Sequence, residues 1–213
     1  MTETVAILGA GKLGLVLARL AVAAGYEVRI AGSGDPKYID LNVDLFAKGA
    51  GAMTAGEAIS GADLVVLAIP LHRLDEVPAS DLAGHIVIDA MNHWLAVDGP
   101  LPAFTGEPRG TSGAVAAALP GARVVKALGH VSYQDLDAHA RDERRIALGV
   151  ASDDAEAAQI VARFIDRLGF EPVVLRDLAA GVALEPGSLS FGAALLPQAL
   201  NRNVSAHTGV DQS

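Results

Sequence analysis

A doubly wound parallel α/β sheet followed by a smaller C-terminal α/β module is the fold class this sequence predicts, and three observations predict it. An apolar run at 5–8 leads directly into Gly9-Ala10-Gly11-Lys12-Leu13-Gly14, which opens a helical pattern reaching residue 24. Strand patterns and helix patterns then alternate along the chain, the rhythm of a sheet with helices on both faces. The run at 62–69 is nearly continuous in Leu, Val, Ala and Ile, as a parallel strand buried on both faces requires. Together these describe a Rossmann-type dinucleotide-binding part over residues 1–127 and a smaller module over 128–213.

The elements follow in order. In the first helix Leu13, Val16, Leu17, Leu20, Ala21 and Ala24 share one face, the spacing that packs a helix on a sheet. Gly25 ends that helix, and 26–31 reads as the second strand. Residues 38–48 read as a helix, 51–54 as a short strand, 55–60 as a short helix and 62–69 as the fourth strand, closed by Pro70. The fifth strand is 84–90 and the sixth 122–128, and between them 95–110, with Pro100, Pro102 and Pro108, reads as a long irregular connection. The second module reads as a strand at 145–151, a helix at 153–168, a strand at 171–175 and a final helix beginning near Ser188. Leu189, Phe191, Leu195, Leu196 and Leu200 would cover much of that helix, so it must be buried against its own sheet or a second copy, and a homodimer is expected.

The glycine run has a reason at each position. Gly9 permits the tight turn off the strand, Gly11 lets a pyrophosphate approach the backbone, and Gly14 lets the helix pack closely on the sheet. A diphosphate would then lie over the free N–H groups and positive dipole end of the helix. The residue at the end of the second strand selects the nucleotide: a carboxylate there accepts from the ribose of NAD, and donors there receive the 2′-phosphate of NADP. This strand ends Gly32-Ser33-Gly34-Asp35-Pro36-Lys37. The Ser33 hydroxyl, the main chain around Gly32 and Gly34, and Lys37 favour NADP. Asp35 argues the other way, as a ribose acceptor, unless it caps the next helix.

Composition bounds the function. At 213 residues and 51% hydrophobic, the chain can bury a real core, built mainly from aliphatic residues because aromatics are only 4%. With no cysteine there are no disulfides, thiol nucleophiles or thiolate metal sites, which suits a reducing, cytoplasmic setting. His85, His93, His139 and His207 lack metal-ligand spacing, so no metal is expected. The net charge of -9 argues against a nucleic-acid partner. Neither a signal peptide nor a membrane span is read from the amino-terminal residues or elsewhere.

The residues 7–14, Gly32-Ser33, Leu67-Ala68-Ile69-Pro70 and Val87-Ile88-Asp89-Ala90-Met91-Asn92 carry a resemblance. So do Val124-Val125-Lys126-Ala127-Leu128, Leu168-Gly169-Phe170-Glu171-Pro172-Val173, Leu184-Glu185-Pro186-Gly187 and Phe191-Gly192. In order and spacing the chain resembles the F420-dependent NADP oxidoreductase family. The resemblance implies hydride transfer between NADP(H) and the deazaflavin coenzyme F420, two small-molecule redox cofactors held face to face. It also implies a departure: the family often has Arg directly after the serine, where this chain has Gly34, leaving Lys37 or a main-chain cradle as the substitute.

Ile69, Pro70 and Leu71 at the end of the fourth strand, with Ala90, Met91 and Asn92 after the fifth, fall at the crevice where open sheets bind ligands. Ile69 and Pro70 are expected to line the nicotinamide pocket and Asn92 to contact its amide or ribose. His72 faces the nucleotide or is satisfied within its loop. On the deazaflavin side the resemblance implies that Val131 packs on the ring, that His130 donates to a ring carbonyl, and that Lys126 and Arg202 meet the coenzyme's phosphate and acidic tail. Trp94 reads as a core or interface residue. Two other functions stay open: a reductase of the same fold acting on an imine, carbonyl, flavin or ferric chelate, with Tyr133 or His130 as proton donor, and a non-catalytic NADP(H)-binding module.

Overall fold

In the computed structural model, which describes residues 2–102, 104, 107–140 and 142–209, the chain forms a six-stranded parallel sheet of order β3-β2-β1-β4-β5-β6. Its strands are β1 (Thr4–Leu8), β2 (Glu27–Ala31), β3 (Gly51–Met53), β4 (Leu64–Leu67), β5 (Ile86–Asp89) and β6 (Arg123–Lys126). The order reverses between β1 and β4, which opens the crevice of a doubly wound sheet above their carboxyl ends. Alternation along each strand supplies two faces. Val5 and Ile7 join Leu17, Val28, Ile30 and Val66 on one side, while Ala6 and Leu8 join Val65, Leu67 and Val87 on the other.

The helices are α1 (Lys12–Ala23), α2 (Lys37–Phe46), α3 (Ala55–Ile59), α4 (Leu95–Asp98), α5 (Gly110–Ala118), α6 (Tyr133–His139), α7 (Ala155–Arg167) and α8 (Pro197–Thr208). A second parallel pair, β7 (Ala147–Val150) and β8 (Glu171–Val174), is tied to the main sheet where Ala151 and Lys126 exchange backbone hydrogen bonds of 2.8 and 3.0 Å. The apolar cluster beneath α1 runs on through Val125 and Ala127 into Leu148, Val150, Val161, Phe164 and Phe170. The residues of 1–127 and 128–213 therefore share one continuous core on that face.

The final helix differs from the sequence reading. It begins at Pro197 rather than near Ser188, because a proline inside a helix would remove a hydrogen bond and clash with the preceding turn, whereas at N1 its fixed φ suits the start. Leu196, before the proline, is extended at ψ 160. Leu200 and Val204 point into a small core with Leu184, and Leu189 lies outside the helix, 72% exposed. The continuous apolar helix invoked for a second copy is thus not formed. The connection at 95–110 opens with the short helix α4, while residues 103, 105 and 106 lie outside those described. No described helix is long and apolar enough to cross a membrane.

Candidate functional site

The crevice is built by backbone packed on backbone. Gly9 leaves β1 at φ +123 and donates its N–H to the Ala31 carbonyl at 2.7 Å, drawing the ends of β1 and β2 together. A Cβ on Gly9 would stand 2.2 Å from the Ala68 carbonyl, and one on Gly14 only 1.8 Å from the Gly9 carbonyl. These two glycines are required by the protein itself. Gly11 is different: its φ of -81 suits any residue, and a Cβ there would meet no protein atom within 4 Å. The open space in front of Gly11 leaves room for a diphosphate laid across the N-terminus of α1.

A cleft of about 440 Å³ lies there, lined by Gly9, Ala10 and Gly11, by Gly32, Ser33 and Gly34, and by Ile69 and Pro70. The turn after β4 also lines it, through Arg73, Glu76, Val77 and Pro78, which the sequence does not single out. The cleft lies on the β2 side of the switch point and therefore suits the adenosine half of a dinucleotide. Lys12 and Leu13 do not line it: Lys12 is exposed at the start of α1 with its ammonium 5.5 Å from the centre of the Tyr133 ring, and Leu13 packs on the core. Asp35 caps α2, accepting the Lys37 N–H at 3.0 Å, and pairs with the Lys37 ammonium at 2.7 Å, which holds the Asp35 carboxyl below the usual carboxylate range. Lys37 thus turns its charge to Asp35 rather than into the cleft.

Leu71 is a core residue. His72 is satisfied not within its loop but by α4, donating its N–H to Asp98 at 3.2 Å and holding its ring Nδ1 2.8 Å from the same carboxylate oxygen. Burial alone would raise the Asp98 pKa, but the N–H of Trp94 and the two bonds from His72 outweigh it and lower it. Trp94 itself is not a core residue: it is exposed, its ring meeting Phe191 edge to face at 5.4 Å.

Toward β5 and β6 the structure brings Ala90, Met91 and Asn92 against 128–130. Leu128 turns the chain at φ +65, the one non-glycine residue with positive φ among those described, a conformation that costs about 1–3 kcal/mol. A Cβ on Gly129 would fall 2.8 Å from the Ala90 carbonyl. Ala90 and Met91 are buried, and Asn92 donates from Nδ2 to the Gly129 carbonyl at 2.7 Å while its buried Oδ1 has no partner among the described residues. An orphaned acceptor of this kind fits a carboxamide N–H₂.

Three expectations change here. His130 and Val131, to which the resemblance gives contacts with the ring, are 2% and 4% exposed, so in this conformation neither presents a side-chain atom to a ring in the crevice; they follow the turn at Leu128. Lys126 does not face solvent or a coenzyme phosphate: its ammonium hydrogen-bonds the Met91 carbonyl and lies 3.6 Å from the buried Asp89 carboxylate. Asp89 in turn accepts from Ser112 at 2.5 Å and from the Met91 N–H at 2.9 Å. Arg202 is an exposed residue of α8.

Burial pushes the His130 pKa down to about 4, the nearby Ala147 backbone pulling it back without reaching hydrogen-bond geometry and the Lys126 charge lowering it further. In the unfolded chain the group titrates near 6.5, so that chain binds the proton first as pH falls. Stability is expected to be full above about pH 6.5 and to decline toward pH 4 by on the order of 3 kcal/mol from this group. Urea midpoints at pH 7.5 and 5 should therefore differ, and His130→Leu should flatten the difference. An equal slope in the variant would reject the assignment.

The description "NADP oxidoreductase coenzyme F420-dependent" belongs to the family model that matches residues 4–93. Among solved structures, the hypothetical protein SMa0349 of Sinorhizobium meliloti is 32% identical with a TM-score of 0.80, over 92% of this chain and 96% of that one. A candidate F420-dependent NADP-reductase from Arthrobacter sp. fb24 is 22% identical with a TM-score of 0.69, over 97% and 95% of the two chains. The 3-hydroxyisobutyrate dehydrogenase of Mycobacterium tuberculosis is 18% identical with a TM-score of 0.61, and this chain spans 57% of its length. The last two likenesses speak to the fold alone. No curated protein sequence matches.

Proposed function

We propose that the chain, whose residues 4–93 match the model of the coenzyme F420-dependent NADP oxidoreductase family, transfers a hydride between NADP(H) and the deazaflavin coenzyme F420. The balanced exchange is NADPH, oxidised F420 and a proton giving NADP⁺ and reduced F420. When bound, the nicotinamide supplies the hydride from C4 and the deazaflavin accepts it at C5. The observation that carries the reading is the furnishing of the crevice. It offers a glycine cradle for a dinucleotide, and the ionisable residues lining the described cleft, Arg73 and Glu76, are paired with each other. Such a site holds and orients a dinucleotide.

Each part of the chain has a share in that work. Gly9 and Gly11 with the α1 N-terminus hold the diphosphate, while Gly14 keeps that helix close to the turn; Gly32 and Ser33 meet the adenosine ribose; Ile69 and Pro70 line the floor between the two halves; Asn92 Oδ1 accepts from the carboxamide and fixes which ring face is presented. His130 and Val131 act from beneath, by supporting the Leu128–Gly129 turn that Asn92 grips.

The test mixes the protein with oxidised F420 and NADPH, with NADH in parallel, and follows the visible absorbance of the deazaflavin. Loss of that absorbance with NADPH is expected. Unchanged absorbance despite NADPH binding would remove F420 and favour the second reading, reduction of an imine or carbonyl. One observation supports that alternative: the Tyr133 phenol, held beneath the Lys12 ammonium, is a proton donor such a substrate would need.

A further inference from the structure

The turn after β4 carries a feature that the glycine cradle does not explain. Arg73 and Glu76 line the same cleft as Ser33 and Gly34, and their side chains form a two-pronged ion pair. Nε donates to one carboxylate oxygen at 2.8 Å and Nη2 to the other. Both are partly open to water, at 33% and 56% exposure, where a pair of this kind contributes little to stability. Neither the fold nor the core requires a guanidinium there.

Its surroundings give it a purpose. Among the described lining residues Arg73 is the cation, since Lys37 is held by Asp35 outside the lining. The Ser33 hydroxyl makes no hydrogen bond within the described protein, and a Cβ on Gly34 would meet nothing within 4 Å, so this end of the cleft is open and supplied with donors. A carboxylate bound by both prongs of a guanidinium occupies the positions that two phosphate oxygens would take.

We propose that Arg73 is the residue that selects the phosphorylated nucleotide, releasing Glu76 and receiving the 2′-phosphate of NADP(H) with Ser33. The inference rests on the reading above that the bound nucleotide is NADP(H). Glu76 then acts as a gate. It holds the guanidinium in place in the free protein, leaves readily because it is half in water, and competes with the incoming phosphate for the same donors.

The experiment measures dissociation constants by calorimetry for NADPH, NADH, 2′,5′-ADP and 5′-AMP, on wild type, Arg73→Ala, Arg73→Lys and Glu76→Gln. Wild type should prefer the 2′-phosphorylated member of each pair. Arg73→Ala should weaken NADPH and 2′,5′-ADP by about 10- to 100-fold, the worth of charge-assisted hydrogen bonds, and leave NADH and 5′-AMP within about twofold. Arg73→Lys should recover part of the loss, and Glu76→Gln should tighten NADPH. Thermal melts of all variants should coincide, because the pair is exposed. If wild type prefers NADPH and Arg73→Ala keeps that preference, the role assigned to Arg73 is wrong while the NADP reading stands. If wild type prefers NADH, the NADP reading itself fails, and the proposal with it. Equal losses for NADH and NADPH would also overturn it, by making Arg73 a general contact.

Discussion

Gly14→Ala is expected to leave little folded protein, whereas Gly11→Val, three residues earlier in the same motif, should fold normally and lose its nucleotide. The Cβ at Gly14 would fall 1.8 Å from the Gly9 carbonyl oxygen and 2.9 Å from its carbon, with the Ile7 side chain at 3.5 Å. Gly9 cannot retreat, because its own Cβ position is already closed by the Ala68 backbone at 2.2 Å. Overpacking against side chains costs about 1–3 kcal/mol. Here the obstacle is main chain, and a loss of more than about 3 kcal/mol is a large share of a domain's stability of about 5–15 kcal/mol. Gly11 has extended backbone angles and open space in front of it, so valine there should cost under about 1–2 kcal/mol as a poor N-cap. Its branched side chain would stand where the diphosphate must approach, and NADPH affinity should fall by more than about 100-fold. Thermal melting and NADPH calorimetry on the two variants check both halves. A stable Gly14→Ala protein would show that the first turn can open, and unchanged binding by Gly11→Val would place the diphosphate elsewhere.

The same contrast explains what the sequence made legible. The strands are apolar runs and the first turn is a glycine motif, features written in consecutive residues, so the sheet and the cradle could be read directly. After the first strand, strand ends that differ run one or two residues too far, because the end of a buried apolar run does not mark the last ladder hydrogen bond. The short α5 was missed because Thr111, Ser112 and Gly113 are buried in it alongside Val115, leaving no polar stripe to betray a helical period. In α6 a signal was present: Ser132 accepts the Asp135 N–H at 3.1 Å, a cap visible as a serine three residues before an acid.

Side chains that act across strands were less legible. Arg73 and Glu76 were passed over because a turn of 3₁₀ helix has too short a period to announce which residues face a cleft, although their spacing of three is the one at which helical side chains meet. The role of His130 rests on the resemblance alone, and nothing local in the sequence records that Leu128 takes a left-handed conformation just before it. The Lys126 error has a different origin. A lysine at the end of an apolar strand reads as reaching for solvent, yet parallel register places it beside Asp89, and two charges ending adjacent strands at one level are the sign of a buried pair.

That pair supports the second large effect: Lys126→Met should destabilise the protein by about 3–5 kcal/mol, more than a mere loss of packing at a side chain of similar length. Lys126 is 1% and Asp89 0% exposed, so removing the ammonium leaves a carboxylate in the interior with only the Ser112 hydroxyl and the Met91 N–H to solvate it. The double variant Lys126→Met with Asp89→Asn should recover most of the loss, since the penalty comes from the uncompensated charge rather than from the missing contact. The network also has a directional role. Lys126 binds the Met91 carbonyl while Asp89 binds the Met91 N–H, so the two charges hold one residue from both sides and thereby set where Asn92 presents its free oxygen. In the double variant, with stability restored, binding of 2′,5′-ADP should match wild type while NADPH loses affinity, because only NADPH carries the ring half that reaches Asn92. Urea denaturation of the two single variants and the double variant gives the coupling energy, and paired calorimetry gives the ligand contrast. Additive losses would mean that the two groups are not coupled through their charges, and equal losses for both ligands would mean that the network supports the sheet without positioning Asn92.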